Sequence, residues 1–440
     1  MFTQFKRLTW KASLLATAVS MLAFTIALAA PGDLDTTFDG DGLVTSYAVP
    51  ANPSRWDIAG GITIQSDGKI VVAGYSRIPS TATNDFAVLR YNTDGTLDST
   101  FSGDGRLITN FGGIDQALDV AVQADGKIVA IGQKCNNTGA ICDVALARYK
   151  TGGGLDATFS GDGKQTSDFG GDDNGSFGGI AIQSNGKIVV AGYMWNGTDY
   201  DFAVYRYLSG GALDTTFSGD GMVNFGFGTG RQDFAEDVVV QSDGKIVVIG
   251  VTGDANGENG NFAVARLNKG GSLDTAFSGD GKLTTNFGGD DLGDSVALQS
   301  DGKIVVAGQK VTATLSYFAL ARYNTNGTLD TTFNGTGKKT FSVITSMDSL
   351  ARSVLVQSDG KIVITGFASN GANNDFALAR LDSAGAFDST FSGDGKVTID
   401  FGGNDFGRDI ALQSLDGKYL LAGSTNDGAQ SDFAVARVLP

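Results

Sequence analysis

Carboxylates are the reactive groups that this sequence offers most abundantly. It has 48 acidic residues, of which only Glu236 and Glu258 are glutamates. Stretches such as NTDGTLD and SGDG place aspartates at alternate positions, as calcium-binding loops do. Other copies replace these acids, as in KTGGG and NKGGS. We therefore expect aspartates that stabilise turns and no cofactor. Calcium, dispensable for folding, is the alternative at a single irregular loop such as DANGENG.

Several reaction classes are excluded or disfavoured by composition. The chain has no histidine, which rules out a Ser–His triad and an imidazole zinc site. SGDGK and NGTGKKT lack the full phosphate-loop pattern. A hydrolase with paired carboxylates stays open as an alternative, although no acidic cluster stands out in the sequence. We assign no catalytic, cofactor-binding or metal-binding residue.

Cys135 and Cys142 are the only cysteines, in the stretch KCNNTGAICD. In an exported protein, a pair this close indicates a disulfide across the mouth of a hairpin. Metal binding is the alternative, but two thiols without any histidine make a poor site. We predict a Cys135–Cys142 disulfide that acts as a local staple.

The N-terminus indicates export. Residues 1–29 combine a basic start, an apolar stretch and the small residues Ala27-Leu28-Ala29, which is typical of a cleaved signal peptide. A membrane anchor is the alternative, but the stretch is shorter than the ~20 residues of a span. We predict a secreted, periplasmic or cell-surface protein with no later span. Its net charge of −16 disfavours nucleic-acid partners.

A repeat dominates the rest of the chain. The phrase Q-x-D-G-K recurs seven times at intervals of 56–60 residues, with its glutamine at Gln65, Gln123, Gln183, Gln241, Gln299, Gln357 and Gln413. Each unit contains four short runs rich in Val, Ile, Ala and Phe, bounded by Gly, Asp and Asn, which is typical of strands. Such a period indicates stacked or radial units.

The runs KIVVAG and FAVAR are apolar at consecutive positions, which indicates sheets buried on both faces. We therefore predict an all-β fold, a seven-bladed β-propeller of four-stranded antiparallel blades. A linear β-solenoid is the alternative, but its coils are much shorter and it needs capping units.

The first repeat phrase stands alone. LDTTFDGDGLVTS at residues 34–46 has no unit before it, and the chain ends after three strands with DFAVARV. We predict that residues 34–48 supply the missing fourth strand of the last blade, so that residues 30–440 form one closed ring without a free edge.

The repeat resembles the delta-60 repeat family, found mainly in exported bacterial proteins. The similarity lies in Q-x-D-G-K-I-V-V-A-G, D-F-A-L-A-R-Y-N and G-x-L-D-x-T-F-x-x-D-G-K, and it spans essentially the whole mature chain. Asn185, Thr336 and the inserted Leu415 depart from the pattern. The resemblance implies a β-propeller in a cell-envelope or extracellular setting, and it implies no common chemistry or catalytic residues.

One arginine and one aspartate also recur in every unit. The arginines are Arg90, Arg148, Arg206, Arg266, Arg322, Arg380 and Arg437, and the aspartates are Asp35, Asp98, Asp156, Asp214, Asp274, Asp330 and Asp388. We predict ion pairs that fix the third strand to the loop after it or to the next blade, because buried arginines are normally paired. A ring of anion-binding arginines is the less favoured interpretation.

The loops after the second and fourth strands vary between copies, and antiparallel geometry puts both on one face. They carry the aromatic residues Trp56, Trp195 and Tyr200, our candidate partner-binding residues; relaxed drift of the loops is the alternative. We expect a monomeric, non-enzymatic binding or scaffold module for a protein or glycan partner at the cell envelope. A carboxylate-based glycan hydrolase or lyase is the alternative, which an asymmetric pocket of acids absent from other blades would favour.

Overall fold

The structure is a computed structural model that describes residues 29–50, 56–78, 83–139, 141–169 and 178–440. The predicted signal peptide lies outside the described residues except for Ala29. In the described part of the chain, no helix is long and apolar enough to cross a membrane. The described residues form 28 strands, β1–β28, and each of the seven repeats supplies one antiparallel blade.

The strands are given by their position in the blade, from the axis outward. The innermost strands are β2 (Trp56–Ile64), β6 (Ile114–Val122), β10 (Gly179–Ile182), β14 (Gln232–Val240), β18 (Asp290–Leu298), β22 (Ser349–Val356) and β26 (Asn404–Leu412). The second strands are β3 (Ile70–Ile78), β7 (Ile128–Cys135), β11 (Ile188–Trp195), β15 (Ile246–Gly253), β19 (Ile304–Val311), β23 (Ile362–Ser369) and β27 (Tyr419–Asn426).

The outer half of each blade is built in the same way. The third strands are β4 (Thr83–Tyr91), β8 (Cys142–Tyr149), β12 (Tyr200–Tyr207), β16 (Asn261–Leu267), β20 (Ser316–Tyr323), β24 (Asn374–Leu381) and β28 (Ser431–Val438). The outermost strands are β5 (Arg106–Thr109), β9 (Lys164–Ser167), β13 (Met222–Phe225), β17 (Lys282–Thr285), β21 (Lys338–Phe341), β25 (Lys396–Ile399) and β1 (Leu43–Ser46). We number the blades 1–7 from β2 onward, so β1 belongs to blade 7.

The core consists of apolar layers between neighbouring blades. Val71, Phe86 and Val88 of blade 1, for example, pack with Ile128 and Tyr149 of blade 2, all fully buried. Seven such clusters follow one another around the ring. Because each blade packs on two neighbours, its second and third strands are apolar on both faces. This confirms the prediction from KIVVAG and FAVAR that the sheets are buried on both faces.

The N-terminal strand closes the ring, as the sequence predicts. Strand β1 pairs antiparallel with β28, with Leu43 opposite Ala436 and Ser46 opposite Phe433. The pairing continues to an isolated bridge between Leu34 and Val438. No outer edge of β28 is left for another chain to extend. The predicted seven-bladed propeller with a shared last blade is confirmed.

The repeated Arg and Asp form the predicted ion pairs, which we call the Arg–Asp clamps. In blade 4, Arg266 Nε donates to Asp274 Oδ2 at 2.7 Å, and Arg266 Nη1 donates to the Thr325 carbonyl of blade 5 at 2.5 Å. The guanidinium lies over the Phe277 ring, 4.7 Å from its centroid. Lys245, the lysine of the Q-x-D-G-K turn, also reaches Asp274 at 2.8 Å. One clamp therefore joins two loops, a strand and the next blade.

The clamps explain most of the repeat signature. Buried Arg–Asp pairs occur in all seven blades, and the last one joins Arg437 to Asp35 of the N-terminal segment at 2.7 Å. Burial alone would raise the pKa of Asp35, but hydrogen bonds from Lys418 and Thr37 and the charge of Arg437 hold it at about 2. The arginines are thus already neutralised, which disfavours a ring of anion sites.

Candidate functional site

The seven innermost strands meet around an axial channel. In six of them the pairing with the second strand slips by one residue: in blade 4, Ala235 pairs with Gly250 and Asp237 pairs with Ile249, which leaves Glu236 unpaired. Such β-bulges redirect a side chain and are common beside functional sites.

Gly250 allows the two strands to approach at the bulge. A Cβ atom on this residue would lie 1.9 Å from the Phe234 carbonyl oxygen. The glycine of the KIVVAG phrase is therefore needed wherever the innermost strand is bulged.

The bulges place two rings of side chains around the axis. The channel ring consists of the six bulged residues and of Gly178, which holds the equivalent sequence position in blade 3: Gly60, Leu118, Gly178, Glu236, Asp294, Arg352 and Arg408. The capping ring consists of the residues that follow them, Gly61, Asp119, Gly179, Asp237, Ser295, Ser353 and Asp409. Members of both rings line a cavity of about 230 Å³.

The capping ring binds neighbouring blades together. Asp237 Oδ2 accepts hydrogen bonds from Val296 N at 2.9 Å and from the Ser295 hydroxyl at 3.1 Å, both in blade 5. Asp119 and Asp409 accept equivalent bonds from Ile180 N and Ile62 N of their next blades, at 3.0 and 2.8 Å. These carboxylates are thus engaged with the backbone.

Small residues separate the three carboxylates of the capping ring. A Cβ atom on Gly61 would lie 2.4 Å from Asp119 Oδ1, so any larger residue there would displace that carboxylate. Burial raises the pKa of Asp119 well above its usual range, and the charges of Asp409 and Asp237 raise it further. The ring is therefore crowded with acids that repel one another across the channel.

The channel ring is asymmetric. Blades 1–3 contribute Gly60, Leu118 and Gly178, whereas blades 4 and 5 contribute acids and blades 6 and 7 contribute arginines. Arg352 Nη1 donates to Asp294 Oδ1 at 2.6 Å. Burial lowers the pKa of Arg408, and the nearby Arg352 lowers it further. The channel thus presents opposite charges on adjoining sides.

Glu236 is a channel acid with a strongly perturbed pKa. Burial and the charge of Asp294 raise its pKa to about 8, despite the opposing effect of Arg352. Burial likewise raises the pKa of its neighbour Asp237 to about 7. Glu236 is therefore mostly protonated at neutral pH and can donate a hydrogen bond or a proton inside the channel.

This acidic cluster corrects the sequence analysis, in which no acidic group stood out. Members from different blades are separated by more than fifty residues along the chain and meet only because the blades converge at the axis. The sequence does contain a signal for this site. The first strand of each unit ends in an apolar triplet such as VVV, VAL or IAL, and the two residues before that triplet differ between copies more than the rest of the strand. This position lies within a strand, so a comparison of the loops alone does not reveal it.

Two of the predicted aromatic residues lie together in blade 3. Trp195, which is 36% exposed, ends β11, and Tyr200 begins β12 opposite it. Their ring centroids are 5.1 Å apart. Tyr193 and Phe234 extend this group, since Phe234 lies 5.6 Å from Tyr200 and 4.7 Å from Tyr193. We call these four residues the aromatic patch.

The patch links the rim of the propeller to the axis. Phe234 lies on the innermost strand β14, two residues before Glu236. Beside the patch, Asn196, Asp199, Asp201 and Lys282 line a cavity of about 450 Å³. Aromatic rings next to a few polar groups are typical of sites for small polar ligands.

The third predicted aromatic residue is not part of this patch. Trp56 is 41% exposed at the start of β2 in blade 1, two blades away. The structure therefore does not bring Trp56 together with Trp195 and Tyr200.

The predicted disulfide is present, and the DANGENG loop is a turn. Cys135 and Cys142 face each other at the ends of β7 and β8 and are bonded. Asp254 accepts hydrogen bonds from Asn256 N and Glu258 N, both at 3.0 Å, and from Asn259 Nδ2 at 2.8 Å. This aspartate organises its own loop, as the turn interpretation expects.

Comparison with protein families places the chain in one of them. The model described as "Domain of unknown function (DUF5122) beta-propeller" matches seven segments, residues 65–101, 123–159, 183–217, 241–277, 299–333, 357–391 and 415–440. Together they cover more than half of the sequence, and the chain belongs to this family. Among curated proteins, none has significant sequence similarity to it.

Solved structures with a similar chain trace have diverse activities. The β-propeller domain of the Trilobed protease from Pyrococcus furiosus is 8% identical with a TM-score of 0.45, covering 87% of this chain and 93% of that chain. An α-L-arabinofuranosidase from Fusarium graminearum is 8% identical with a TM-score of 0.47, covering 90% and 97%. The polysaccharide lyase Uly1 is 12% identical with a TM-score of 0.46, covering 90% and 91%. Similarity this low carries no argument about function.

Proposed function

We propose that this protein is an exported, monomeric β-propeller of the delta-60 repeat type that binds a glycan through its aromatic patch. The leader-like residues 1–29 and the disulfide support export, because disulfides persist in oxidising compartments. The observation that carries the proposal is the continuous path of rings from exposed Trp195 to Phe234, beside the charged channel.

The chemistry of the patch suits a sugar. A pyranose ring has an apolar C–H face that packs on aromatic rings and a rim of hydroxyls that need hydrogen bonds. Trp195 and Tyr200 offer the apolar surface. Asn196 Nδ2 already donates to Asp201 Oδ2 at 2.8 Å, so this cavity holds polar groups in fixed positions. A few fixed polar groups beside aromatic surface give both orientation and specificity.

The test is a glycan array followed by calorimetric titration of the bound oligosaccharide. We expect Trp195→Ala to weaken binding at least about tenfold, a loss of about 1.4 kcal/mol. Trp56→Ala is the matched control, because Trp56 is similarly exposed but lies in blade 1, and it should bind normally. Absence of glycan binding, or equal losses in both variants, would contradict the proposal.

A glycan hydrolase or lyase is the second candidate function, and Glu236 favours it. A carboxylic acid with a pKa of about 8 is protonated at neutral pH, as a general acid must be. Asp294, whose charge acts on Glu236, lines the asymmetric axial cavity together with Arg352 and Arg408. If the protein cleaves its glycan, Glu236→Gln should abolish cleavage and leave binding at the aromatic patch intact. Binding without cleavage by the unmodified protein would reject this candidate.

A further inference from the structure

The axial cavity contains one arginine that has no partner. Arg408 is the channel-ring residue of blade 7, it lines the cavity, and its side chain is exposed there. Within the part of the chain that the structure describes, its guanidinium forms no hydrogen bond and no ion pair. An arginine side chain carries several N–H donors and stays charged in proteins. Arg408 therefore presents unused donors and an unbalanced positive charge to the cavity.

The free guanidinium of Arg408 does not recur in the other blades. Every clamp arginine is paired with an aspartate. Arg352, the second arginine of the channel ring, is paired with Asp294 Oδ1 at 2.6 Å. The other five positions of the channel ring hold no basic residue. The unpaired cation is thus a feature of blade 7 and not of the repeat.

The order of residues around the ring explains why Arg408 is unpaired. Asp294 of blade 5 is followed by Arg352 of blade 6, and these two residues form the ion pair. Arg408 of blade 7 comes next, between Arg352 and Gly60 of blade 1. Gly60 has no side chain that could extend into the channel. Arg408 therefore has a like charge on one side and open space on the other.

Two adjacent guanidinium groups in this cavity are costly without an anion. The charges of Arg352 and Arg408 repel each other where water is partly excluded. The neighbouring acid of the capping ring is already engaged. Asp409 Oδ2 accepts a hydrogen bond from Ile62 N at 2.8 Å, and its Oδ1 accepts one from the Ser353 hydroxyl at 2.7 Å. An anion bound between Arg352 and Arg408 would supply the missing negative charge.

A carboxylate fits this site better than a doubly charged anion. Guanidinium groups bind carboxylates through two parallel hydrogen bonds. The same cavity is also lined by the acids Asp119, Asp237, Asp294 and Asp409, which repel a dianion such as phosphate more strongly than a monoanion. The volume of about 230 Å³ is far more than the about 10–15 Å³ that one water needs. The cavity therefore accommodates an organic group that carries a carboxylate.

The inner end of the aromatic patch lies at the level of this arginine. Tyr193 of the patch and Tyr75 of blade 1 hold the same sequence position, directly after the glycine of the KIVVAG phrase. Burial raises the pKa of Tyr75 and the charge of Arg408 lowers it, so these two side chains lie close together. A glycan that leaves the patch at Phe234, on the innermost strand, therefore enters the channel at the level of Arg408.

We propose that the axial cavity binds the carboxylate of an acidic sugar, with Arg408 as its main contact and Arg352 as its second. The inference rests on the proposed glycan binding at the aromatic patch, and it names the class of glycan: one with a carboxylate, such as a uronate or a sialate. The patch holds the apolar face of one sugar ring while the arginines hold the carboxylate of another. Neutral glycans contact only the patch and bind more weakly.

Two variants separate the cavity from the surface. Arg408→Gln removes the unpaired guanidinium. Because Arg352 repels that group, the ligand-free variant should melt at the same temperature as the unmodified protein or higher. Arg77→Gln is the matched control, since it removes the same charge from an exposed arginine near the end of β3 in blade 1 that does not line the cavity.

The experiment is a glycan array that carries uronate- and sialate-containing oligosaccharides beside their carboxyl-reduced forms, followed by calorimetric titration of the tightest pair. We expect the acidic form to bind at least about tenfold more tightly than its reduced form. Arg408→Gln should abolish this difference and leave the affinity for the reduced form unchanged. Arg77→Gln should keep the difference.

The outcomes distinguish this inference from the glycan proposal on which it rests. Equal affinity for acidic and reduced forms, equal losses in Arg408→Gln and Arg77→Gln, or a lower melting temperature of ligand-free Arg408→Gln would overturn the carboxylate site. Binding that is still lost in Trp195→Ala would then support the glycan function alone. Absence of binding to every glycan would overturn both.

Discussion

The Arg–Asp clamps and the channel ring are both built seven times from the same repeat, yet they differ in how much their residues vary between blades. Every clamp keeps its arginine, its aspartate and the aromatic ring under the guanidinium. The channel ring, in contrast, holds glycine, leucine, glutamate, aspartate or arginine. Each clamp joins a third strand and the loop after it to the next blade, whereas the ring surrounds the cavity on the axis.

This difference in variability distinguishes the clamps, which are scaffold, from the channel ring, which is the candidate site. A clamp joins two blades, so the loss of its arginine or its aspartate in any copy removes a partner from a buried charge. A channel-ring residue is the extra residue of a bulge and pairs with no strand neighbour. Substitution there changes the lining of the cavity and leaves the sheet intact. The residues that are the same in every blade therefore hold the ring together, and the residues that differ between blades are those that can determine which ligand binds.

Removal of the N-terminal strand should have the largest effect. Deletion of residues 31–48 strips β1 from β28 and leaves Arg437 without Asp35. We expect a loss of stability greater than the about 3–5 kcal/mol of one broken buried pair, together with aggregation through the exposed edge. Urea unfolding and size-exclusion chromatography measure both.

A circular permutant is the control for that deletion. Gly32 N donates to the Leu439 carbonyl at 3.0 Å, so residue 440 can be joined to residue 30 and the chain opened at another outer loop. This permutant should fold as a monomer. If the deletion variant melted like the intact protein, the closed propeller would be wrong.

Breaking one clamp should come next. Arg266→Met leaves Asp274 with Lys245 as its remaining charged partner and removes the hydrogen bond to the next blade, so we expect a cost at the lower end of about 3–5 kcal/mol. In the channel of the same blade, Glu236→Gln should change the free energy of unfolding by less than about 1 kcal/mol when measured at about pH 4, because Glu236 is then mostly protonated in both the folded and the unfolded chain and its side chain is not part of the sheet. Chemical denaturation of the two variants compares them directly. Similar costs would erase the distinction between scaffold and site.

The disulfide should contribute less than a clamp. It closes a loop with a sequence separation of only 7 residues, so replacing both cysteines by serine should cost about 2 kcal/mol. Intact mass of exported protein should show the leader removed and two hydrogens missing. Free thiols in native protein would contradict the pairing.

The two regions should also respond oppositely to pH. The clamp acids Asp35, Asp156, Asp330 and Asp388 have pKa values of about 2 in the folded state, below the ordinary 3.8, so their stabilisation is present above about pH 4 and is lost as the pH falls toward 2. Glu236 and Asp237 have raised values of about 8 and about 7. Their folded state binds more protons, so their contribution is fully present below about pH 4 and is lost as the pH rises toward 8.

Stability should therefore peak at mildly acidic pH, between about 4 and 6. Denaturation midpoints measured across pH 3–9 test this expectation. A maximum at pH 8 or above would show that the axial acids are not desolvated.

The sequence predicted the parts of the molecule that repeat. The strand order, the closure by residues 34–46 and the Arg–Asp pairs all followed from phrases present in every copy, because identical units require identical contacts. The channel ring could not be placed, since a bulge adds one residue without changing the apolar pattern of the strand. Glu236 and Asp294 are neighbours only through the ring geometry, which no local spacing reveals.

The titration of Glu236 tests the account most directly. The chain has only two glutamates, Glu236 and Glu258, so protein labelled with carbon-13 at the glutamate carboxyl gives two NMR signals. The one missing from Glu236→Gln belongs to Glu236. A low-dielectric channel flanked by Asp294 predicts a midpoint of about 8 for this signal, whereas a midpoint near the ordinary 4.5 would contradict a desolvated axial site.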